Sequence, residues 1–263
     1  MKTFTKLVCG VVIAVLLGVI QAGAAGTNSL TLGGSYTENF DSMGTGDHAP
    51  PFGWNAGTLS GASTTNGTIG IVAVLGANTG GSTTSGNFNY GSSGASDRAI
   101  GSLAANSITR ATEVLFVNST GFSITNLTIS YTGEQWRDGG NTTSINSLGM
   151  TFSQATVGGL ATFTPMGASF NFVAPQNGAS GTALNGNLGA NRVTGRGGDY
   201  PVNIAAGEVF AFRWIDSDDP GSDDGLAIDD FSLNYSPIPE PSSMMLVGMG
   251  LISVFIIRRR RSK

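Results

Sequence analysis

Acidic side chains crowd one stretch near the end of the chain, and their spacing is typical of a cation site. Seven of the seventeen acidic residues fall between Asp216 and Asp230, interspersed with one proline and two glycines that favour turns. Carboxylates packed into a tight loop repel one another unless a cation or an arginine neutralises them, and hard oxygen ligands suit Ca²⁺. We therefore predict a calcium site, with the following candidate ligands: Asp216, Asp218, Asp223, Asp224, Asp229 and Asp230.

The alternative is a solvated acidic turn in which Asp229 or Asp230 bonds to the backbone, to Arg137 or to Arg213. The stretch is not an EF-hand, because its twelfth position is Ala227, where that loop requires a glutamate. Both interpretations stay open at the level of sequence. Calcium is the one cofactor that the sequence indicates.

Aromatic side chains near polar segments could bind a sugar. An amphipathic ring presents a flat apolar face beside polar groups, which suits stacking on a sugar ring. Trp54 and Trp136 are the leading candidates for glycan contacts, and Tyr90 is a third. The alternative for each ring is packing in the core.

Residues for catalysis are scarce. The chain has one histidine, His48, and one cysteine, Cys9, which is too few for a Cys/His pair in the exported domain or a His-rich zinc site. Glu134 and Asp138 form a nominal carboxylate pair for glycoside cleavage. A packing role for Trp136 and an ion pair between Arg137 and an acidic residue explain that stretch more simply. We expect no enzymatic activity, with a carboxylate-dependent glycoside hydrolase as the least favoured alternative.

The elements that must position these side chains have the pattern of β-strands. Apolar residues recur every second position at Leu148, Met150 and Phe152, and the largely apolar run at 209–215 predicts a strand buried on both faces. In the last strand the parity changes between Ile228 and Phe231, which predicts a bulge. Because Gly-, Ser- and Asn-rich turns separate short strands and no amphipathic helix intervenes, we predict an all-β fold, an antiparallel jelly-roll β-sandwich.

Charge is distributed unevenly along the chain. The segment between the two apolar ends has no lysine and six arginines against sixteen acidic residues, a net charge of −10, whereas the whole chain carries −4. A domain this acidic, without a basic stripe, repels phosphate backbones. Nucleic acid is therefore excluded as an expected partner.

The N-terminus has the pattern of an export signal. Lys2 and Lys6 precede an apolar run at 7–20, and small residues follow at 22–24. This order is typical of a signal peptide, here residues 1–25, that signal peptidase removes. The exported domain, 26–236, then contains no cysteine and is held together by core burial alone.

The C-terminus combines three features. Pro239, Glu240 and Pro241 precede an apolar segment at 242–257, and four arginines follow it. As a helix the apolar segment would span about 24 Å, slightly short of a hydrocarbon core of about 30 Å. The arginines favour a cytoplasmic C-terminus, which leaves the preceding domain outside.

This arrangement resembles the PEP-CTERM sorting signal of bacterial envelope proteins. An exosortase-type transpeptidase recognises that signal and processes it near the Pro-Glu-Pro. The resemblance implies that residues 237–263 are a sorting signal with a transmembrane helix and a basic tail. It also implies a location in the cell envelope, at the cell surface or outside the cell, with membrane attachment before processing. The alternative is an ordinary C-terminal anchor with a chance Pro-Glu-Pro.

Motifs within the domain resemble a jelly-roll module of secreted bacterial proteins. They lie at 36–41, 52–54, 131–137, 213–218 and 223–230. The module is similar in architecture to carbohydrate-binding and concanavalin-like sandwiches. The resemblance implies a fold more than an activity, because sandwiches host many unrelated functions.

Three functional hypotheses follow. The preferred one is an exported bacterial surface or extracellular-matrix protein, sorted by an exosortase, with a structural or adhesive role linked to exopolysaccharide. That link is implied by the usual setting of the sorting family. The second is a lectin-like module that binds a defined glycan, and the third is the carboxylate-dependent glycoside hydrolase.

Overall fold

The computed structural model describes residues 26–61, 66–154, 160 and 162–238. The predicted signal peptide and the segment from Pro239 onward, including the apolar run at 242–257, lie outside the described residues. In the part that is described, no helix has the length and apolar character needed to cross a bilayer.

The described residues form sixteen strands and two short 3₁₀ helices, Asp41–Met43 and Ala168–Phe170. The strands, in chain order, are β1 (Asn28–Leu30), β2 (Ser35–Glu38), β3 (Trp54–Ser60), β4 (Thr68–Ile71), β5 (Gly76–Asn78), β6 (Gly86–Tyr90), β7 (Ala99–Leu103), β8 (Arg110–Asn118), β9 (Ser123–Asp138), β10 (Ser147–Gln154), β11 (Thr164–Pro165), β12 (Phe172–Val173), β13 (Thr182–Ala183), β14 (Arg192–Ile204), β15 (Val209–Asp216) and β16 (Gly225–Ile238).

The strands pair into two sheets, which confirms the all-β prediction. Sheet A has the order β11-β10-β15-β8-β3-β4, with β1 beside β8 and β12 beside β10. Sheet B has the order β13-β9-β16-β7-β6-β5, with β14 beside β9 and β2 beside β16. Among the described strands, β1 with β8 and β5 with β6 pair in parallel, and the other pairs are antiparallel.

The core lies between the sheets because alternate residues of both sheets face inward. In β15, Phe210, Phe212 and Trp214 enter the main core. The alternate residues Ala211 and Ile215 are buried in small clusters on the other face of sheet A. The prediction that this strand is buried on both faces is therefore confirmed.

Aromatic rings dominate the centre of the core. Trp54 stacks on Trp214 with ring centroids 5.7 Å apart, and Phe231 meets both indoles edge-on at 5.4 and 5.6 Å. Such aromatic pairs contribute about 0.5–1.5 kcal/mol each beyond the area they bury. These contacts join sheet A to sheet B without any disulfide.

The predicted bulge in the last strand is present. The register of β16 against β9 shifts between Asp229 and Ser232. At the shift Asp230 has a φ of 47°, in the left-handed region that aspartate tolerates better than most residues. As a result Asp229 is buried at 4 % exposure, while its neighbour Asp230 is exposed.

A second, smaller core lies apart from the main one. It consists of Tyr90, Ala99, Trp136 and Ala227, with Phe88 packed against it. Gly186 passes directly over the Trp136 indole, and a Cβ at that position would lie 2.4 Å from the ring nitrogen. A glycine is therefore required where the 184–191 segment covers this core.

Candidate functional site

The two tryptophans predicted to contact glycans are both buried. Trp54 and Trp136 are each 0 % exposed. The Trp54 ring nitrogen donates to the Tyr36 hydroxyl at 2.9 Å, and the Trp136 indole stacks on Tyr90 at 5.8 Å. A sugar ring cannot reach either indole in this structure, so the predicted stacking role is wrong. Both rings, and Tyr90 at 1 % exposure, pack in cores instead.

The acidic stretch divides into separate environments rather than forming one ligand set. Asp216, Asp218, Asp223 and Asp224 lie at the end of β15, in the loop that follows it and at the start of β16, whereas Asp229 is buried further along β16. Asp230 lines a surface cleft. Among the residues that the structure describes, no three His, Cys, Asp or Glu side chains converge closely enough to hold a metal ion. Calcium binding therefore stays a prediction, and only the loop that follows β15 gathers several of its candidate ligands.

Asp216 is satisfied by the protein itself. One of its oxygens accepts hydrogen bonds from the Ser102 hydroxyl at 2.7 Å and the Ala104 amide at 3.1 Å. Burial, together with a smaller contribution from repulsion by Asp223 and Asp219, raises the pKa of Asp216 to about 8. At neutral pH this group holds its proton and serves as a structural link between β15 and β7.

Asp223 is the least satisfied acid of the loop. Its Oδ1 accepts the Asp219 amide at 2.8 Å, but its Oδ2 is buried without a hydrogen-bond partner. Burial, with repulsion from Asp218 and Asp219, raises the pKa of Asp223 to about 7. The loop therefore loses repulsion when it binds a proton or a cation.

Asp224 anchors the loop to its neighbours. Its Oδ1 accepts the Gly139 amide at 2.7 Å, and its Oδ2 accepts the Gln135 side-chain amide at 3.0 Å. Burial raises the pKa of Asp224 to about 6. These bonds fix the start of β16 against the end of β9.

Arg213 does not neutralise the acidic stretch. Its guanidinium pairs with Glu113 at 2.7 Å and donates to the Gly67 carbonyl at 2.9 Å. The guanidinium carbon also lies 3.6 Å from the centre of the Phe163 ring. The alternative in which Arg213 bonds to Asp229 or Asp230 is therefore wrong. The Asp229 carboxylate instead accepts the amide of Asp230 at 2.7 Å, which is the backbone bond that the alternative also allowed.

Glu134 and Asp229 form a buried carboxylate pair beside the second core. Glu134 is 1 % exposed, and one oxygen accepts the Trp136 ring nitrogen at 2.9 Å while the other has no partner. Burial raises the pKa of Glu134 to about 7. Burial and repulsion from Glu134 raise the pKa of Asp229 to about 9.

The sequence pair Glu134 and Asp138 is not arranged for glycoside cleavage. Both residues lie on β9, four positions apart, which places their Cα atoms about 13 Å from one another. Both are also buried, and Asp138 accepts the Gly140 and Gly178 amides at 2.8 and 2.7 Å.

His48 is exposed in a loop. Its Nδ1 lies 2.7 Å from the Ala49 carbonyl oxygen, and its backbone pairs with Leu75. It lies against no carboxylate or hydroxyl that would make it part of a catalytic group among the hydrogen bonds of the described residues. It therefore has the surroundings of an ordinary surface histidine.

An open surface cleft of about 360 Å³ lies where β2 meets the bulge of β16. Its lining is Thr37, Glu38, Asn39, Asp230, Phe231 and Ser232. The Phe231 ring is buried in the core, so hydroxyl, amide and carboxylate groups form the polar part of the lining. Groups of this kind exchange hydrogen bonds with sugar hydroxyls. The parity change in β16 predicted the bulge that turns Asp230 outward, but no sequence pattern indicated that β2 pairs beside it and completes the cleft.

The candidate sorting segment begins inside the sheet. Pro237 and Ile238, the last residues of β16, pair with Ile124 and Ser123 of β9. Folded structure therefore continues to the residue before Pro239. The β-sandwich extends two residues beyond the predicted boundary at 236.

The C-terminus matches a known family. Residues 237–261 match the PEP-CTERM protein-sorting motif. The match implies an exported protein, associated with the cell surface or envelope, that an exosortase-type enzyme processes. No curated protein matches the chain at a significant level.

Solved structures with a similar arrangement of strands include carbohydrate-binding and adhesin domains. The CBM22-1 xylan-binding domain of Xyn10C from Paenibacillus barcinonensis is 9 % identical with a TM-score of 0.39, over 78 % of this chain and 95 % of that domain. The K3 cleaved adhesin domain of Lys-gingipain from Porphyromonas gingivalis w83 is 13 % identical with a TM-score of 0.31, over 76 % of this chain and 90 % of that domain.

Proposed function

We propose that this chain is an exosortase-sorted surface protein whose β-sandwich has a structural or adhesive, non-enzymatic role in association with extracellular polysaccharide. The observation that carries the proposal is the sorting motif at 237–261, whose first two residues are the last two of strand β16. The domain is thereby delivered to the surface as a folded body. The proposed association of the domain with polysaccharide rests on the extracellular polysaccharide setting in which proteins with this sorting signal usually occur.

The properties of the domain suit this role. Its core is closed by aromatic packing between two sheets and needs no disulfide. Its net charge of −10 over the exported part favours solubility and disfavours self-association. Both carboxyl groups considered for glycoside cleavage, those of Glu134 and Asp138, are buried, which supports the non-enzymatic assignment.

The test compares the native host expressing the full chain with a host expressing a variant that lacks 239–263. Cell fractions and polysaccharide extracts are probed for residues 26–238. The proposal expects the full chain in the envelope or extracellular matrix, and the truncated variant free in the periplasm or medium. Equal distribution of the two would contradict it.

Glycan binding is the second candidate function, and the cleft at the β16 bulge favours it. Glu38 at the end of β2, Asn39 directly after it and Asp230 in β16 present acceptors and donors there. Burial raises the pKa of Glu38, with a smaller effect from the nearby Asp41. A carboxylate-lined cleft would bind neutral or cationic sugars and repel uronates.

A glycan array followed by titration calorimetry tests this second function. Asp230→Asn should weaken saturable binding, and because asparagine also tolerates the left-handed backbone the fold should persist. Asp199→Asn, an exposed carboxylate on the edge strand β14, is the matched control and should bind like the wild type. Absence of saturable binding across the array would remove this candidate and leave the sorting function untouched.

A further inference from the structure

The sorting motif and the folded domain share residues. The match begins at Pro237, and β16 ends at Ile238. A processing enzyme that reads this motif therefore meets a substrate whose first residues are paired in a sheet. The contacts that hold Pro237 and Ile238 in the sheet therefore determine how the motif becomes accessible to the processing enzyme.

Tyr235 is the last residue of β16 that is anchored from both sides. Its amide donates to the Gly34 carbonyl at 3.0 Å, and its hydroxyl donates to the Thr31 carbonyl at 2.7 Å. On the other side it pairs with Leu127 of β9. The residue is 6 % exposed and belongs to the main core. Release of the chain at or before Tyr235 would therefore disturb the core.

The three residues after Tyr235 are held differently. The pairing of β16 with β2 ends at Asn234, opposite Ser35, so sheet neighbours continue only on the β9 side. The register shifts between Tyr235 and Pro237, and proline has no amide hydrogen to donate to a ladder. Ser236 is exposed. This terminal segment, 236–238, is thus held by one-sided and irregular pairing.

We propose that the terminal segment is a releasable spacer, which must separate from β9 before the sorting enzyme can process the motif. The inference rests on the proposed sorting function and concerns how that function is regulated. Three extended residues provide about 10 Å of chain between Tyr235 and Pro239. While the segment is paired, that spacer is absent, because the paired strand continues to Ile238.

The physical reason is that cleavage requires a free, extended chain. When local opening is fast, the rate of attack on a folded protein follows the population of the open form. Segments with few buried contacts open at lower free energy than the core. Opening of 236–238 leaves the contacts of Tyr235 in place, so the domain stays folded during processing.

A cross-strand lock tests the proposal in the full chain in its native host. Ser123 and Ile238 face one another in register, and directly opposed residues of antiparallel strands have Cα atoms about 4.5–5.5 Å apart, within the range for a disulfide. The double variant carries Ser123→Cys and Ile238→Cys. Each single substitution is a control for the side-chain change. A third variant adds a short Gly/Ser spacer between Ile238 and Pro239 to the locked protein.

The measured quantity is the fraction of exported protein that has lost its C-terminal segment, determined by mass spectrometry. The double variant should be processed about tenfold more slowly or worse, the single variants should behave like the wild type, and both reductant and the added spacer should restore processing. Processing of the disulfide-bonded protein at the wild-type rate would overturn the inference. Retention of the C-terminus by the wild type itself would instead refute the sorting function.

Discussion

Glu134→Gln should change how the stability of the domain depends on pH. Glu134 is buried at 1 % exposure with one oxygen unpartnered, and burial raises its pKa from 4.5 to about 7. In the unfolded chain the carboxyl ionises near its ordinary pKa. The folded state therefore holds a proton that the unfolded state has lost, and the stability present below pH 4.5 is lost as the pH rises through 7.

The size of the effect follows from the two pKa values. The difference between 7 and 4.5, at about 1.4 kcal/mol per pH unit, gives about 3 kcal/mol of stability lost between pH 4 and pH 8. Glutamine does not titrate in this range and still offers an oxygen to the Trp136 ring nitrogen. Removing the charge of Glu134 also relieves Asp229, whose raised pKa depends partly on it. Both effects favour the variant at high pH.

The assay is urea unfolding of residues 26–238 at pH 4 and pH 8, followed by tryptophan fluorescence. Relative to the wild type, Glu134→Gln should gain about 3 kcal/mol on going from the lower to the higher pH. Asp199→Asn, on an exposed strand edge, is the control for the loss of one negative charge. Parallel stability curves for wild type and Glu134→Gln would refute the reasoning, because Glu134 would then titrate at its ordinary pKa in the fold.

Three further outcomes are expected. Calcium should raise the melting temperature of the domain at pH 8, because it would relieve the repulsion between the carboxylates of the loop after β15. The increase should be smaller in Asp223→Asn. An unchanged melting temperature would count against a calcium site. Trp136→Ala should lower the free energy of unfolding by about 3–5 kcal/mol, because the indole fills the second core, and Trp136→Phe should lower it clearly less. An alanine variant as stable as the wild type would mean that the ring is not packed. Glu113→Gln should lower the free energy of unfolding by about 3 kcal/mol, because it leaves the Arg213 charge without its ion pair. Glu208→Gln, at a half-buried acid, is the control and should lower it much less. Equal losses of unfolding free energy in urea titrations would argue against the buried pair.

The fold was predictable where the sequence alternates strictly. Leu148, Met150 and Phe152 lie in β10, and the apolar run at 209–215 lies in β15, opposite one another in sheet A. The parity change after Ile228 indicated the bulge that the structure contains. In each case the side chains must face a core, so the pattern alone specifies a strand.

Other strands could not be predicted because their residues do not alternate. The first half of the thirteen-residue strand β14 shows no apolar alternation, because Gly195, Gly197 and Gly198 interrupt it. All three have positive φ, and the register against β9 shifts between Val193 and Arg196. An edge strand that is half exposed and bulged carries little hydrophobic signal.

The site was harder to predict than the fold. The burial of Trp136 depends on Gly186, fifty positions away, and no local pattern indicates that this segment crosses the ring. The acidic stretch reads as one cluster, yet the bulge directs Asp229 inward and Asp230 into the cleft. Only the register of the sheets decides which carboxylates share an environment.

The most direct test of the account is the mass of the mature protein from its native host. The sorting motif at 237–261 and its junction with β16 predict a polypeptide whose leader is gone and whose C-terminus lies near Pro241. Recovery of intact protein through Lys263 would contradict the account and leave a plain membrane anchor.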